Sequence, residues 1–515
     1  MVVAAITLDG GFVYDDASAL GESPIVNGEA APSEAFSRDF WGRTSSQGFT
    51  TWRPLMPVLW SQMWAVWPND PLPFRILSLL LHVLAVALSM RLAVRLGGSR
   101  AWGAVVGTLF ALHPLNTEAV GAIVAQADLL SFSLVLAACT AALNPPSLRT
   151  GLLCALGFLL ASLVKESAVI FAPLALLLIL LRPGDTRARA LSALPTAAVG
   201  LGVIAFQLTL PRAVAISMIS NNLAHQAEGM TRLLLGLHNI GRALAMTVWP
   251  WSLAPNHGYA AVELHVGALI PYAVLGAVLL LAGIAGGTWA ILRGRLLWVT
   301  ALAFLYAPAL LQSHWFIRLI TDLAERLLYP SVLGFSMIAS IAIFRLASAP
   351  LVRAAIVAVA SVAFLVAGYQ ARRAWADDDA LWMRAVRVEP RAAIHHHNVS
   401  NTYFRSDDIE LGAATHVGRV RTVNEDDYLI LAPCDREDLL SRGRLISIAD
   451  GMGGVAGGAE ASRAAIRAIG ASLGDSSVGG DPERALHAAF DAAGERVHEL
   501  AGESSRLAEM GTTLT

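Results

Sequence analysis

Ten long apolar runs fill most of the first 370 residues, at about 74–96, 101–113, 119–143, 151–181, 190–210, 232–250, 266–292, 296–312, 327–346 and 351–369. A stretch of ~20 apolar residues is long enough to cross a bilayer. Inside lipid the backbone must satisfy its own hydrogen bonds, so such runs are helices. The pattern predicts a multi-pass α-helical membrane protein, with 151–181 forming two short helices broken at Lys165–Glu166. Only 15% of the residues are charged, against roughly 25% in a soluble domain. The net charge of -2 argues for no nucleic-acid partner. Cys139, Cys154 and Cys434 lie far apart and make neither a disulfide framework nor a metal cluster.

Arginine placement sets an orientation, because short cytoplasmic loops carry the excess of positive charge. Arg91, Arg95 and Arg100 share one loop, Arg149 marks a second, and Arg182, Arg187 and Arg189 a third. Arg293 with Arg295, and Arg345 with Arg353, mark two more. All fall on the cytoplasmic side if 232–250 is re-entrant or lies along the interface. Residues 9–52, 113–118, 165–167, 211–231 and 313–326 then face outward, as does the chain after residue 369. Lys165 is the sole lysine amid abundant Arg, Ala and Gly. That bias reads as GC-rich coding and points to a bacterial inner membrane. No signal peptide is visible.

The outer loops hold the chemistry. "GGFVYDDASAL" places Asp15 and Asp16 at the membrane surface, where a carboxylate can act as general base toward an acceptor hydroxyl. "TWRPLMPVLW" supplies Arg53, "ALHPLNTEAV" His113 and Glu118, and "QADLL" Asp128. "LVKESAVIF" sets Lys165 beside Glu166, and "LAERLLYP" sets Glu325 beside Arg326. Each alone reads as an ion pair or a snorkelling end residue. Together they gather acids and bases on one face of the membrane.

In the order FVYDD, WRPL, HPLNTEAV, QADLLSF, KES, NNLA, WPWSLAPNHGY and AERLLYP, residues 9–390 resemble the TPR-bearing transmembrane O-mannosyltransferases, polytopic glycosyltransferases of the GT-C class. The resemblance implies a polyprenyl-phosphate sugar as donor and a hydroxyl, such as that of a protein Ser or Thr, as acceptor. It assigns the catalytic base to Asp15 or Asp16. Lys165 and Arg326 then suit the departing lipid phosphate, Arg offering the better fork. Members of that family begin with a complete membrane helix ahead of the acidic pair, where Met1 to Phe12 supplies about half of one.

Past residue 370 the pattern turns polar. Trp375, Leu381, Trp382, Ala385, Pro390 and Asn398–Tyr403 look like the entry to a TPR array, which stops within one helix. Consecutive His395, His396 and His397 would point in different directions on a helix, against a shared metal. Further on, "ATHVGRVRTVNEDDYLI", "RLISIADGMGGVAGGAEAS" and "EMGTTLT" resemble the metal-dependent PPM (type 2C) Ser/Thr phosphatases. The resemblance implies that Asp450 bridges two Mn²⁺ or Mg²⁺ ions, Gly451 offers its carbonyl, and Glu425 and Asp426 add further contacts. It gives Arg421 the substrate phosphate. The family's other aspartate ligands lie downstream of the MGTT strand, so this site is expected to be incomplete and inactive. The expected organisation is a GT-C-like membrane domain over 1–370, a juxtamembrane segment over 371–411, and over 412–515 a partial α/β phosphatase sandwich. The rival reading is a membrane-anchored phosphatase acting on phosphoproteins in signalling.

Overall fold

The computed structural model describes residues 8–44, 51–210, 223–225, 227–257, 266–319, 321–392, 394–399, 425–431, 445–452, 457–474, 482–503 and 511–514. Arg421, one of the phosphatase-motif residues, lies outside them. The chain divides into two compact units, Met1–Thr402 and Tyr403–Thr515. The boundary expected near 370 therefore moves to 402, and most of the juxtamembrane segment folds with the membrane unit.

The first unit is helical: α1 (Leu55–Trp64), α2 (Pro71–Arg95), α3 (Arg100–Leu112), α4 (Thr117–Gly121), α5 (Gln126–Ala142), α6 (Leu148–Val164), α7 (Ala172–Leu180), α8 (Thr186–Thr209), α9 (Gly229–Val248), α10 (Val266–Leu292), α11 (Leu296–Leu311), α12 (Tyr329–Leu346), α13 (Pro350–Ala374) and α14 (Asp378–Val388). Polar residues start several of them. Asp70, Ser99, Ser147, Asp185 and Asp377 each accept a first-turn N–H from Leu72, Trp102, Thr150, Ala188 and Ala380 in turn.

Among the described residues, five helices are long and apolar enough to cross a bilayer: α2, α8, α10, α12 with the turn before it, and α13. A sixth span counts if Pro114–Gly121 and Gln126–Ala142 form one broken crossing, bent by 113°. Fewer spans than apolar runs result because 101–113, 151–181 and 296–312 become helices short of a full crossing, and 232–250 forms α9, which is not among the membrane-crossing helices. The run at 119–143 likewise breaks between α4 and α5. The molecule is an integral multi-pass membrane protein. Lipid solvates the outer faces: α13 exposes Leu351, Val359 and Val366, and α10 exposes Val274, Val278 and Leu281.

The core is built around Phe110, Phe132, Phe158, Phe304 and Tyr329. Buried Gln126 ties three helices, donating to Phe74 O (2.6 Å) and accepting from Trp60 Nε1 (2.8 Å). Helices α9 and α10 meet backbone to backbone through two glycines. A Cβ on Gly241 would stand 2.1 Å from Tyr272 O, and one on Gly276 would stand 1.9 Å from Leu237 O. Small residues are what allow such an approach in lipid.

In the second unit β1 (Asp426–Leu431), β2 (Leu445–Met452) and β3 (Gly511–Leu514) form an antiparallel sheet in that order. Helix α15 (Gly458–Gly474) covers one face, and α16 (Pro482–Glu503) packs on α15. Ala465, Ile469 and Ala493 pack there with Leu429 and Leu514. On the strands, Tyr428 and its register partner Ile448 are exposed.

Replacing Gly276 with Leu should separate α9 from α10 and destabilise the membrane unit by about 1–3 kcal/mol, the usual cost of overpacking. A lower thermal transition in nanodiscs checks this, with Gly287→Leu, where a Cβ meets open space, as the control.

Candidate active site

The loop that carries the acidic pair is fastened from two sides. Buried Arg75 on α2 donates to Gly11 O (2.5 Å) and to Trp375 O (3.1 Å). Gly11 N–H donates to Ala376 O (2.9 Å). Tyr14 turns the chain in the left-handed region (φ 59°), a conformation that costs roughly 1–2 kcal/mol in a non-glycine residue. Its N–H donates to Asp378 Oδ1 (2.7 Å), and its ring stands edge-on to Trp382, centroids 4.9 Å apart.

The two acids then have different fates. Asp16 is fully buried, and its oxygens accept from Val124 N–H (2.8 Å) and Val13 N–H (3.2 Å). Burial pushes its carboxyl up to about 7 despite those donors. It staples the loop to the segment between α4 and α5. Asp15 keeps 24% of its side chain exposed and lies 3.5 Å from Arg326 Nη1. Burial pushes the Asp15 carboxyl above the ordinary carboxylate range, and Arg326 offsets part of the rise. A carboxylate of raised basicity, open on one side, is suited to accept a proton.

The cations sort themselves in the same way. Arg53 makes a two-pronged pair with Glu166 (both 2.7 Å), and Lys165 Nζ sits 2.5 Å from Asp128 Oδ1. Arg326 is different. Glu118 Oε2 accepts from its backbone N–H (2.8 Å), but the side-chain contacts to Asp15 and Glu118 are long, 3.5 and 3.6 Å. Its Nη1 is buried with no hydrogen bond. Of the two cations nominated for the lipid phosphate, Lys165 is neutralised by Asp128, and Arg326 holds an unfilled donor. Beside the Asp128–Lys165 pair is a cavity of about 30 Å³ walled by Phe132, Phe171, Pro308 and Tyr329, room for one or two waters.

Two residues nominated from sequence serve the backbone. His113 Nε2 donates to Thr247 O (3.0 Å) while Nδ1 accepts from Leu115 N–H (3.3 Å), so the neutral ring is a structural cap. Glu325 Oε1 accepts from Ala254 N–H (2.6 Å) and from His257 Nε2 (2.9 Å). His257 belongs to a cluster that sequence reading passed over. Its Nδ1 meets Glu389, which also pairs with Arg242 on α9. With a carboxylate at each nitrogen the ring donates twice, as an imidazolium. Burial opposes that charge, yet the two carboxylates outweigh burial and Arg242, and His257 is pushed up to about 9. Burial likewise raises Glu389, but His257 and Arg242 overcome it and hold the carboxyl at about 2. The motif WPWSLAPNHGY contains His257; Glu389 is isolated in sequence and carries no local signal.

The phosphatase-motif residues are less assembled. Asp426 and Asp450 are register partners on β1 and β2, and Gly451 N–H donates to Glu425 O (3.1 Å). Among the described residues no three His, Cys, Asp or Glu side chains gather as a metal site.

With this geometry in view, comparison with curated proteins is informative. Over 405 residues, 76% of this chain and 57% of the relative, it is 24% identical to Protein O-mannosyl-transferase F38B6.6 of Caenorhabditis elegans. Over 127 residues, 24% of this chain and 13% of the relative, it is 39% identical to Protein O-mannosyl-transferase Tmtc2 of Drosophila melanogaster. The N-terminal region is homologous to the TMTC-type protein O-mannosyltransferases. Human Protein O-mannosyl-transferase TMTC3 is 28% identical over 130 residues, 25% of this chain and 14% of the relative. The matched segments span 13% to 57% of the lengths of these relatives. No protein-family model matches the chain. No solved structure matches it.

The His257 cluster has a defined pH window. Glu389, held low, contributes stability above its unfolded value of 4.5 and loses it as pH falls through about 2. His257, held high, contributes fully below its unfolded 6.5 and loses it as pH rises through about 9. Thermal unfolding in nanodiscs should therefore weaken between pH 6.5 and 9, and His257→Asn should flatten that decline.

Proposed function

We propose that the chain transfers a sugar from a polyprenyl-phosphate donor in the membrane to a protein Ser or Thr hydroxyl. The observation that carries the reading is the Asp15–Arg326 pair, an accessible carboxylate 3.5 Å from a guanidinium nitrogen that lacks a hydrogen bond. The names of the relatives, protein O-mannosyltransferases, support mannose as the sugar. In the reaction the acceptor hydroxyl loses its proton to Asp15 while its oxygen bonds to the anomeric carbon. The bond from that carbon to the phosphate oxygen breaks, and the electron pair leaves with the lipid phosphate. Arg326 meets the charge that develops on the phosphate, where a fixed donor in a dry site acts most strongly. Arg53 and Lys165, already paired, contribute to the field and hold Glu166 and Asp128 in place. The arginine distribution supports an orientation with the chain after α13 on the outer side, and the single lysine amid abundant Arg, Ala and Gly supports a bacterial inner membrane.

Asp15→Asn should lower mannose transfer from a polyprenyl-phosphate mannose by about 10²-fold or more with the thermal transition unchanged. Asp16→Asn should instead destabilise by about 1–3 kcal/mol, because one buried backbone N–H loses its acceptor. Full transfer by Asp15→Asn would refute this mechanism.

For the second unit, the three PPM-like blocks support descent from a Mn²⁺- or Mg²⁺-dependent phosphatase acting on phosphoproteins. That no three candidate ligands gather among the described residues supports low activity in this chain. Hydrolysis of a phosphopeptide by the full chain with added Mn²⁺ should match that of Asp450→Asn. Turnover that vanishes in Asp450→Asn would reverse this and favour the signalling reading.

A further inference from the structure

The residues immediately before Asp15 and Arg326 are both held by the same short stretch of chain. Tyr14 N–H is bound by Asp378 at the start of α14, and the Tyr14 ring rests on Trp382 in the middle of it. Glu325 is bound by His257, which is bound in turn by Glu389 just past the end of α14. Two further bonds close the frame: His257 N–H donates to Leu323 O (3.1 Å), and His395 Nε2 donates to Asn256 O (2.6 Å). We infer that the arm from Trp375 to 399 is a spacer that fixes the separation of Asp15 and Arg326, with Asp378 and Glu389 as its two positioning residues.

The geometry favours this over simple packing. Helix α14 is 11 residues long, about 16 Å at 1.5 Å per residue. A helix is stiff over that length, so acids at its two ends fix two points at a constant spacing. The partners they grip directly, Tyr14 and His257, lie in irregular backbone, and Glu325 opens the short 3-10 turn Glu325–Leu328 that leads into α12. Asp15 and Arg326 touch only at 3.5 Å, so their direct attraction does not lock them together. Neither Asp378 nor Glu389 contacts the proposed reacting groups. Each acts through a neighbour.

The test uses the full chain in phospholipid nanodiscs, with spin labels at Ser18→Cys and Arg318→Cys on a Cys434→Ser background. Both label sites are exposed, and Cys139 and Cys154 are buried. Arg318 reports on the Arg326 side, because His314 accepts from Leu319 N–H (3.2 Å) and donates to Asp322 O (2.7 Å). Asp378→Ala and Glu389→Gln should each broaden the distance distribution while keeping a cooperative thermal transition. Asp378→Asn, whose amide oxygen still accepts from Tyr14, should match the wild type. The kinetic arm rests on the transferase reading: with polyprenyl-phosphate mannose as probe, both disruptive variants should lose about tenfold in kcat with donor KM within about threefold. Absence of transfer in the wild type would sink that reading and leave the distance arm to decide this one. An unchanged distribution in Asp378→Ala and Glu389→Gln, or equal broadening in Asp378→Asn and Asp378→Ala, would overturn the inference.

Discussion

Charge buried among apolar helices must be answered by opposite charge or by hydrogen bonds, since the cost of leaving it unpaired is several kcal/mol. That constraint organises the charged cluster of this protein. Glu166 answers Arg53, Asp128 answers Lys165, and Asp16 is answered by backbone N–H groups. Once these demands are met, Asp15, Glu118 and Arg326 remain, with long contacts of 3.5 and 3.6 Å between their side chains. The incompletely satisfied part of the network is where the proposed chemistry falls. Buried groups without full partners are expected where a substrate is to supply the missing one.

The helices put these charges where they are needed by being broken. The segments that bear Glu118 and Asp128 meet at a 113° bend, and Lys165–Glu166 interrupts what would otherwise be one long helix. Irregular backbone at membrane depth is tolerated where protein buries it. Here Asp16 accepts from Val124 N–H, a backbone group freed at the bend, and Glu118 accepts from Arg326 N–H at the turn before α12. The acid next in sequence to the proposed base therefore closes a gap in the helices that display Glu118 and Asp128.

The sequence reading recovered the helical membrane class and the break at Lys165–Glu166. It did so because apolar runs and polar interruptions are local signals. It could not separate Asp15 from Asp16, since adjacent acids look alike until the backbone of residues 122–126 closes on one of them. It grouped His113 and Glu325 with the site candidates, and tertiary contacts turn both toward main-chain groups. It missed Asp378, Arg242 and Glu389, whose partners lie 364, 147 and 132 residues away in the chain. It also cut the membrane unit short at 370, because hydropathy ends there, whereas packing runs on through Trp375, Leu381 and Trp382 into the cluster around Val13 and Phe40.

Lys165 is the chain's single lysine, and its side chain is 5% exposed against Asp128. Reagents that acylate amines will find almost nothing on the folded membrane unit, so dyes, fixatives and cross-linkers of that class are poor tools for it. The same scarcity makes a good spectroscopic handle. Lysine labelled with ¹⁵N gives one side-chain resonance for the whole molecule, and that resonance sits inside the ion-pair network. A single peak would then follow the protonation of a buried pair in a protein of 515 residues, with no assignment problem to solve.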